Sequence, residues 1–138
     1  MRRPTPPADI EIRTIGKDDL PVLAADTSAR LKSRLRVQAA IRACAVRGLT
    51  ATVARHGDDD AGTILVKQNL MGTGFRVLTQ VRDAQGARAW LAGTGSDPVE
   101  EKTADAYIAR QVTRDADLWV IEIEDASGWL PFAEKLLE

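Results

Sequence analysis

The sequence of 138 residues has few of the side chains on which most enzyme chemistry depends. It contains one cysteine, Cys44, one histidine, His56, and six aromatic residues. One cysteine excludes an internal disulfide and leaves Cys44 and His56 as the single conceivable Cys/His pair. Because Cys44 falls on the apolar stripe of a predicted helix and His56 at a predicted turn, we do not expect that pair. Without a nucleophile elbow or a phosphate loop, the sequence predicts no catalytic residues and no cofactor.

Long hydrophobic runs are also missing. No apolar stretch approaches the roughly 20 residues that span a bilayer, so we expect no contact with a membrane. The N-terminus carries Arg2 and Arg3 but no apolar segment behind them, and a signal peptide is therefore not predicted. Together with the single cysteine, this indicates a cytoplasmic protein. Its 44% hydrophobic and 28% charged residues are typical of one globular domain.

Two segments are unbalanced in charge. No acidic residue lies between Asp26 and Asp58, where seven positive charges occur. From Ser96 onwards, eleven acidic residues face four basic ones. The basic segment either binds nucleic acid or packs beside the acidic segment. Because the chain has a pI of about 5.9, we favour packing of the basic segment beside the acidic one. The nucleic-acid alternative would use Arg34, Arg36, Arg42 and Arg47.

The hydrophobic pattern divides the chain into two parts. Residues 1–30 form an N-terminal extension, partly disordered, and residues 31–138 form a single domain. Alternating apolar and basic residues predict a strand over 31–37. The stripe of Val37, Ala40, Ile41 and Cys44 then predicts a helix that ends at Gly48.

Five further strands and one helix complete the prediction. Strands over 50–55 and 63–68 flank a turn-rich loop at 56–62, which is typical of a hairpin. Strands over 75–82 and 88–91 follow. A helix then begins at residues 97–100, and a strand over 118–124 comes after it. The order β-α-β-β-β-β-α-β predicts an α+β fold, with a mixed, mainly antiparallel sheet of about six strands and both helices on one face.

Two blocks of the sequence carry a family pattern: residues 41–67, with Cys44, Arg55 and Gly57-Asp58 among them, and residues 105–125, with Asp117-Leu118-Trp119-Val120. Through these blocks, residues 31–125 resemble a bacterial family known as domain of unknown function 1491. Departures from the family pattern are Arg36, His56, Arg114 and Ala116. The resemblance implies a small soluble bacterial protein and no known activity.

The loop that follows the first of the hairpin strands has the most reactive side chains. In Arg55-His56-Gly57-Asp58-Asp59-Asp60, three carboxylates lie beside an imidazole. Their consecutive spacing does not match a calcium loop, so no metal site is predicted there. A nuclease of the Asp/Glu-x-Lys type would need an acid two residues before Lys67, where the chain has Leu65. We instead predict Arg55, His56, Asp58 and Asp60 as contact residues.

Glu122 and Glu124 share one face of the last predicted strand. They would pair with basic side chains on neighbouring strands, or join Asp58 and Asp60 in a metal-dependent hydrolase, which is a further alternative. We favour the pairing.

A bulky apolar tail follows that strand. Trp129, Leu130 and Phe132 either fold back as a lid or anchor a partner. Our leading hypothesis is a non-enzymatic protein-interaction or regulatory module, with a protein partner that contacts the tail and residues 55–62. The sequence does not specify the partner or the oligomeric state.

Overall fold

The structure is a computed structural model that describes residues 31–137. The predictions for residues 1–30 lie outside this range. Two helices and six strands make up the described part of the chain. In chain order they are α1 (Ser33–Val46), β1 (Thr50–Arg55), β2 (Ile64–Asn69), β3 (Phe75–Arg82), β4 (Arg88–Ala92), α2 (Glu101–Arg114), β5 (Trp119–Glu124) and β6 (Leu136–Leu137).

All six strands belong to one mixed sheet, in the order β1-β5-β2-β3-β4-β6. β2 and β5 run parallel, as do β4 and β6, and the other neighbours are antiparallel. The parallel pairing of β2 with β5 is allowed because β3, β4 and α2 form a long crossover between them. The predicted α+β class, with a mixed sheet and two helices, is confirmed.

The predicted strand over 31–37 is wrong, because α1 already begins at Ser33. Arg36 is buried and Leu35 is 40% exposed, the reverse of what the alternation predicted. The buried positions of α1 have helical spacing instead: Ser33, Arg36, Val37, Ala40 and Cys44. Leucine, arginine, alanine and glutamine all favour helix, and this preference outweighs a short period-2 pattern. The sixth strand is β6, at the C-terminal end.

The predicted hairpin of β1 and β2 is also wrong, since β5 lies between these strands. Thr52 of β1 and Lys67 of β2 both pair with Glu122, from opposite sides. A loop of turn-forming residues can carry the chain past a neighbouring strand as well as into a hairpin. The unbroken apolar run Ile64-Leu65-Val66 suits the interior of a sheet that is covered on both faces.

The two helices cover opposite faces of the sheet rather than the single face that was predicted. Successive side chains of a strand point to opposite faces, and the buried residues accordingly form two cores. On the α1 face the core consists of Val37, Ala40, Cys44, Ile64, Val66, Leu78, Trp90, Trp119, Ile121 and Ile123. On the α2 face it consists of Leu65, Val77, Ala104, Leu118 and Val120.

α2 begins at Glu101, later than the predicted start at 97–100. Val99 forms a short bridge with Phe75 instead, in which each backbone N–H donates to the other's carbonyl over 2.8 Å. Ala104 is fully buried, and Tyr107, Ile108 and Val112 pack around the same core, as the apolar stripe predicted.

Candidate functional site

The loop of residues 56–62 holds the N-terminal end of α1. The backbone N–H of Ser33 donates to the carbonyl of Asp60 (3.3 Å), and that of Arg34 to the carbonyl of Asp59 (2.9 Å). The Ser33 hydroxyl donates to the carbonyl of Gly62 (2.6 Å). α1 has no side-chain cap of its own, so these carbonyls accept hydrogen bonds from N–H groups that a helix start leaves free.

The same loop is fixed against the start of β5. Asp58 N–H donates to the carbonyl of Asp117 (3.0 Å), and the Trp119 indole donates to the carbonyl of Asp58 (2.7 Å). A Cβ on Gly57 or Gly62 would collide with the Asp117 carbonyl, so the close approach requires glycine at both positions. These contacts indicate a structural role for the loop backbone.

Each acidic side chain of the loop has a local partner. Asp58 accepts from the N–H groups of Asp60 (3.1 Å) and Ala61 (2.9 Å). Asp59 lies 2.8 Å from the Nε2 atom of His56, and Asp60 lies 3.5 Å from the ammonium of Lys32. Within residues 31–137, no three His, Cys, Asp or Glu side chains are placed to hold one metal ion.

His56 itself stacks on Trp119, with ring centroids 4.1 Å apart, on the α1 face of the sheet. Glu122 points to the other face, since it is three residues further along β5 and borders Lys67. The structure therefore does not bring His56, Asp58 and Glu122 together. The carboxylates named for a hydrolase, Asp58, Asp60, Glu122 and Glu124, are not placed to hold one metal ion within residues 31–137.

Cys44 and His56 are likewise separated. Cys44 is fully buried in the α1-face core, and His56 is exposed. Burial and, to a smaller extent, the charge of Asp125 raise the pKa of the Cys44 thiol. A buried thiol with a raised pKa is a poor nucleophile at neutral pH.

The apolar tail lies on the α1 face. The Phe132 ring is 4.8 Å from that of Trp90 and 5.2 Å from the guanidinium of Arg36. Trp129 lies under the guanidinium of Arg47, at 4.1 Å, and Leu130 packs against the core. The tail therefore covers one side of α1 with partly buried side chains.

Asp125 positions the start of this tail. Its carboxylate accepts from the Ser127 hydroxyl (2.6 Å) and the Trp129 N–H (3.0 Å). The hydrogen bond from the Ser127 hydroxyl, followed by those from the Trp129 and Ser127 N–H groups and the charge of Arg47, lowers the pKa of Asp125. The carboxylate is thus held in its charged form at the turn between β5 and the tail.

The four arginines named for the nucleic-acid alternative have different environments. Arg36 is 5% exposed and donates to the Glu134 carboxylate over 2.6 Å. Burial is the largest effect and lowers the pKa of Arg36, although Glu134 opposes it. Arg34, Arg42 and Arg47 are exposed, and of these Arg47 stacks on Trp129. The predicted packing of the basic segment beside the acidic one thus occurs at Arg36.

A second polar cluster lies on the α2 face and was not predicted as a whole. The Lys67 ammonium contacts three carboxylates: Glu101 and Asp105 at 2.8 Å and Glu122 at 3.8 Å. Burial alone would lower the pKa of Lys67, but its hydrogen bonds to Asp105 and Glu101 and the charge of Glu122 outweigh burial and raise it. The expected pairing of Glu122 with a basic side chain of a neighbouring strand is present.

The outer edge of β1 is a further surface feature, which the sequence pattern did not predict. β1 stands at the end of the sheet and pairs only with β5 within the described residues. Four of its six residues are exposed: Thr50, Thr52, Val53 and Ala54. The alternating strand pattern predicted that β1 exists, but it did not predict its position at an edge.

Comparison with known proteins identifies the family but no activity. Residues 31–133 match the family model "Protein of unknown function (DUF1491)". No protein with a curated description matches the chain. No helix in residues 31–137 combines the length and the apolar character needed to cross a membrane.

Solved structures of similar proteins have the same fold. The crystal structure of a DUF1491 family protein from Caulobacter crescentus CB15 is 33% identical, with a TM-score of 0.69, over 79% of this chain and 99% of that one. An NMR structure of a DUF1491 family protein from the same organism is 34% identical, with a TM-score of 0.70, over 79% and 98%. The solution structure of Atu0922 from A. tumefaciens is 28% identical, with a TM-score of 0.63, over 76% and 96%. The chain belongs to the DUF1491 family.

Proposed function

We propose that the protein is a non-enzymatic protein-interaction module whose partner docks as an extended segment along the outer edge of β1. The observation that carries this proposal is the terminal position of β1 in the sheet, with no strand on its outer side within residues 31–137. The outward backbone N–H and C=O groups of such an edge can add another strand through main-chain hydrogen bonds.

β1 has few of the features that protect an edge from pairing. Residues 50–54 (Thr-Ala-Thr-Val-Ala) contain neither a charge nor a proline, which are common protective residues at sheet edges. The register with β5 is regular from Thr50 to Val53 and shifts only before Arg55. A regular edge of four residues therefore remains for a partner.

The side chains beside this edge differ between the two faces. On the α2 face, Thr50 and Thr52 pair with Glu124 and Glu122. On the α1 face, Ala51 packs against the apolar core and Val53 is 44% exposed. A docked strand would place alternate residues next to the glutamates and next to Val53, because side chains alternate in direction.

The charge beside β1 specifies the chemistry of the partner. Within residues 31–137, Lys67 is the one ammonium that borders Glu122, and it is shared with Glu101 and Asp105. Glu124 has no ion pair within the described residues. The α2 face next to β1 is therefore acidic overall, and we assign the partner as a polypeptide segment with alternating basic and apolar residues.

Only some of the predicted contact residues belong to the surface in this proposal. Arg55 is the last residue of β1, and His56 follows it with a largely exposed side chain, so both belong to the proposed surface at its C-terminal end. The Asp58 carboxylate binds within its own loop, and that of Asp60 lies beside Lys32. We assign the 129–132 tail to the covering of α1, because Trp129 and Phe132 already stack on its arginines.

The same contacts disfavour a nucleic acid as partner. Arg36 is buried against Glu134 and Arg47 is stacked on Trp129, so two of the four candidate arginines are engaged by the tail. Arg47 is exposed as well, but its guanidinium already lies on the Trp129 ring, so Arg34 and Arg42 are the exposed candidates without such a stack among the described residues. Two separate arginines provide a much smaller electrostatic footprint than a continuous basic patch.

The experiment is an NMR titration of the full chain with a synthetic ten-residue peptide of alternating lysine and valine. We expect saturable shifts of the β1 amides, Thr50 to Val53 above all. An alternating glutamate–valine peptide is the charge control and should not bind. Shifts spread over the whole surface, or none, would contradict the proposal.

Backbone pairing is separated from charge attraction by N-methylation of the peptide. Two lysine–valine peptides are compared, one methylated on alternate residues and the other on the intervening residues. Only one set of N–H groups faces β1, so one peptide should lose binding and the other should retain it. Equal binding of both would show that no strand is added.

Charge complementarity is tested by Glu124→Lys, with Glu100→Lys as the matched control on an exposed glutamate outside the β1 surface. We expect the first variant to weaken binding of the lysine–valine peptide several-fold and the second to leave it nearly unchanged. Equal effects would indicate a general effect of net charge rather than a local contact.

A further inference from the structure

A polar cleft lies on the α1 face, away from β1, where the start of α1 meets the ends of β2, β3 and β4. Its volume is about 250 Å³. The lining residues are Ser33, Ala61, Gly62, Thr63, Gln80, Val81, Arg82 and Arg88. Two of them are cationic and none is acidic, although the chain as a whole has a net charge of −1.

Arg88 is the unusual residue of this cleft. Its Nε and Nη1 atoms are buried and have no hydrogen-bond acceptor among the described residues. Within the described residues no carboxylate pairs with Arg88. Burial is the largest cause of the lowered pKa of Arg36; the charge of Glu134 opposes this lowering, and the charge of Arg88 adds to it. Buried guanidinium donors without acceptors are costly, because they lose water and gain nothing in return.

The neighbouring groups add donors rather than acceptors. The Gln80 side-chain oxygen already accepts from the Ile64 N–H, at 3.3 Å, which directs the Gln80 amide donors away from that bond. Arg82 uses only one nitrogen, in a hydrogen bond to the carbonyl of Gly86 (2.9 Å). The positive end of the α1 dipole lies at Ser33, and the first turn of α1 has no acidic residue.

We infer that this cleft binds the phosphate group of a small molecule, with Arg88 as its main counterion and Arg82, Gln80 and Thr63 as further donors. Guanidinium groups match the oxygens of phosphate in charge and in donor geometry. The site is independent of the proposed docking at β1, since none of its residues belongs to that strand.

The test is an NMR titration of the full chain with inorganic phosphate at constant ionic strength, followed by glycerol phosphate and by citrate. We expect saturable shifts of the Ser33, Thr63 and Gln80 amides with inorganic phosphate. Tighter binding of glycerol phosphate would identify a phosphate carried on an organic molecule, and equal binding would identify the free ion. Binding of citrate without phosphate, or no saturable shift, would overturn the inference.

Two variants separate this site from general charge effects. Arg88→Gln should weaken phosphate binding by about tenfold or more, whereas Arg34→Gln, which removes the same charge from exposed α1 surface, should change it less than twofold. Equal losses would overturn the inference.

A thermal measurement shows whether Arg88 has only a structural role. Phosphate should raise the Tm of the unmodified chain but not that of Arg88→Gln, with sodium chloride of equal ionic strength as the reference. If Arg88→Gln does not fold, the exposed Arg82→Gln replaces it, with the same expected loss of the phosphate response. A phosphate response that survives substitution at both positions would overturn the inference.

Discussion

The two edges of the sheet are built differently. At one edge, β4 is covered by β6: Trp90 and Leu91 pair with Leu136 and Leu137, and Trp90 N–H donates to the Lys135 carbonyl over 2.9 Å. At the other edge, β1 has no such cover within residues 31–137. The C-terminal segment thus protects one edge and leaves the other available for pairing.

The side chains follow the same division. The covered edge contains the fully buried Trp90, whose indole donates to Glu134 over 3.2 Å. The open edge has small, uncharged side chains, of which Val53 is the most apolar. Stability should therefore depend strongly on residues at the covered edge, while residues at the open edge should affect binding with little effect on stability.

The largest expected effect at the covered edge is that of Glu134→Ala. This substitution leaves the buried Arg36 guanidinium without its carboxylate and next to the charge of Arg88. Loss of one partner of a buried ion pair costs about 3–5 kcal/mol. We expect the free energy of unfolding, measured in urea, to decrease by an amount near the upper end of that range. Glu100→Ala, at an exposed glutamate, should change the free energy of unfolding by less than about 0.5 kcal/mol. Equal small effects would show that the tail does not hold Arg36.

A matched pair of apolar truncations compares the two edges directly. Phe132→Ala removes a ring that packs on Trp90 and Arg36, and we expect a loss of about 2 kcal/mol because Phe132 is only partly buried. Val53→Ala should cost less than about 0.5 kcal/mol, since Val53 is 44% exposed. Urea unfolding of both variants tests the comparison, which fails if Val53→Ala is the more costly.

The Lys67 cluster next to the open edge predicts a loss of stability in base. The pKa of Lys67 is raised above its ordinary value of 10.5, so its contribution is complete below pH 10.5 and is lost as pH rises through the folded pKa. Lys67→Met should remove this part of the pH dependence. Chemical unfolding between pH 9 and 12 measures it, and an unchanged alkaline slope in the variant would contradict the assignment.

Acid should release the start of the tail, with a smaller effect on the whole fold. The pKa of Asp125 is lowered below its ordinary value of 3.8, so its stabilising contribution is present above pH 3.8 and is lost as pH falls through the folded pKa. Tryptophan fluorescence should change as the pH falls through the folded pKa of Asp125, because the Asp125 carboxylate accepts a hydrogen bond from the Trp129 N–H. Asp125→Asn should shift this change or remove it.

The sequence predicted much of the secondary structure and little of the arrangement. Strands 75–82 and 118–124 show clear alternation and match β3 and β5 closely. The order of the strands depends on which strands pair with β5, and a local sequence pattern contains no information about that pairing. The unbroken apolar run of β2 was the available sign that both faces are covered.

The candidate surfaces were predictable only in part. Turn-forming residues located the 56–62 loop correctly, but its role in holding α1 depends on a contact between residues that are distant in sequence, Ser33 and Gly62. The pairing of Glu122 with Lys67 was among the alternatives, while Glu101 and Asp105 of α2 were not. The sequence did not indicate Arg88 as a site residue, because its lack of a hydrogen-bond acceptor among the described residues is a property of the packed structure.

The most direct test of the central proposal is amide hydrogen exchange of β1, with and without the lysine–valine peptide. In the free protein, the outward amides of Thr50 to Val53 should exchange much faster than those paired with β5, and faster than the amides of β4. The peptide should slow the outward amides and leave β4 unchanged. Slow exchange of every β1 amide without peptide, or no slowing with it, would contradict an edge that is open to a partner.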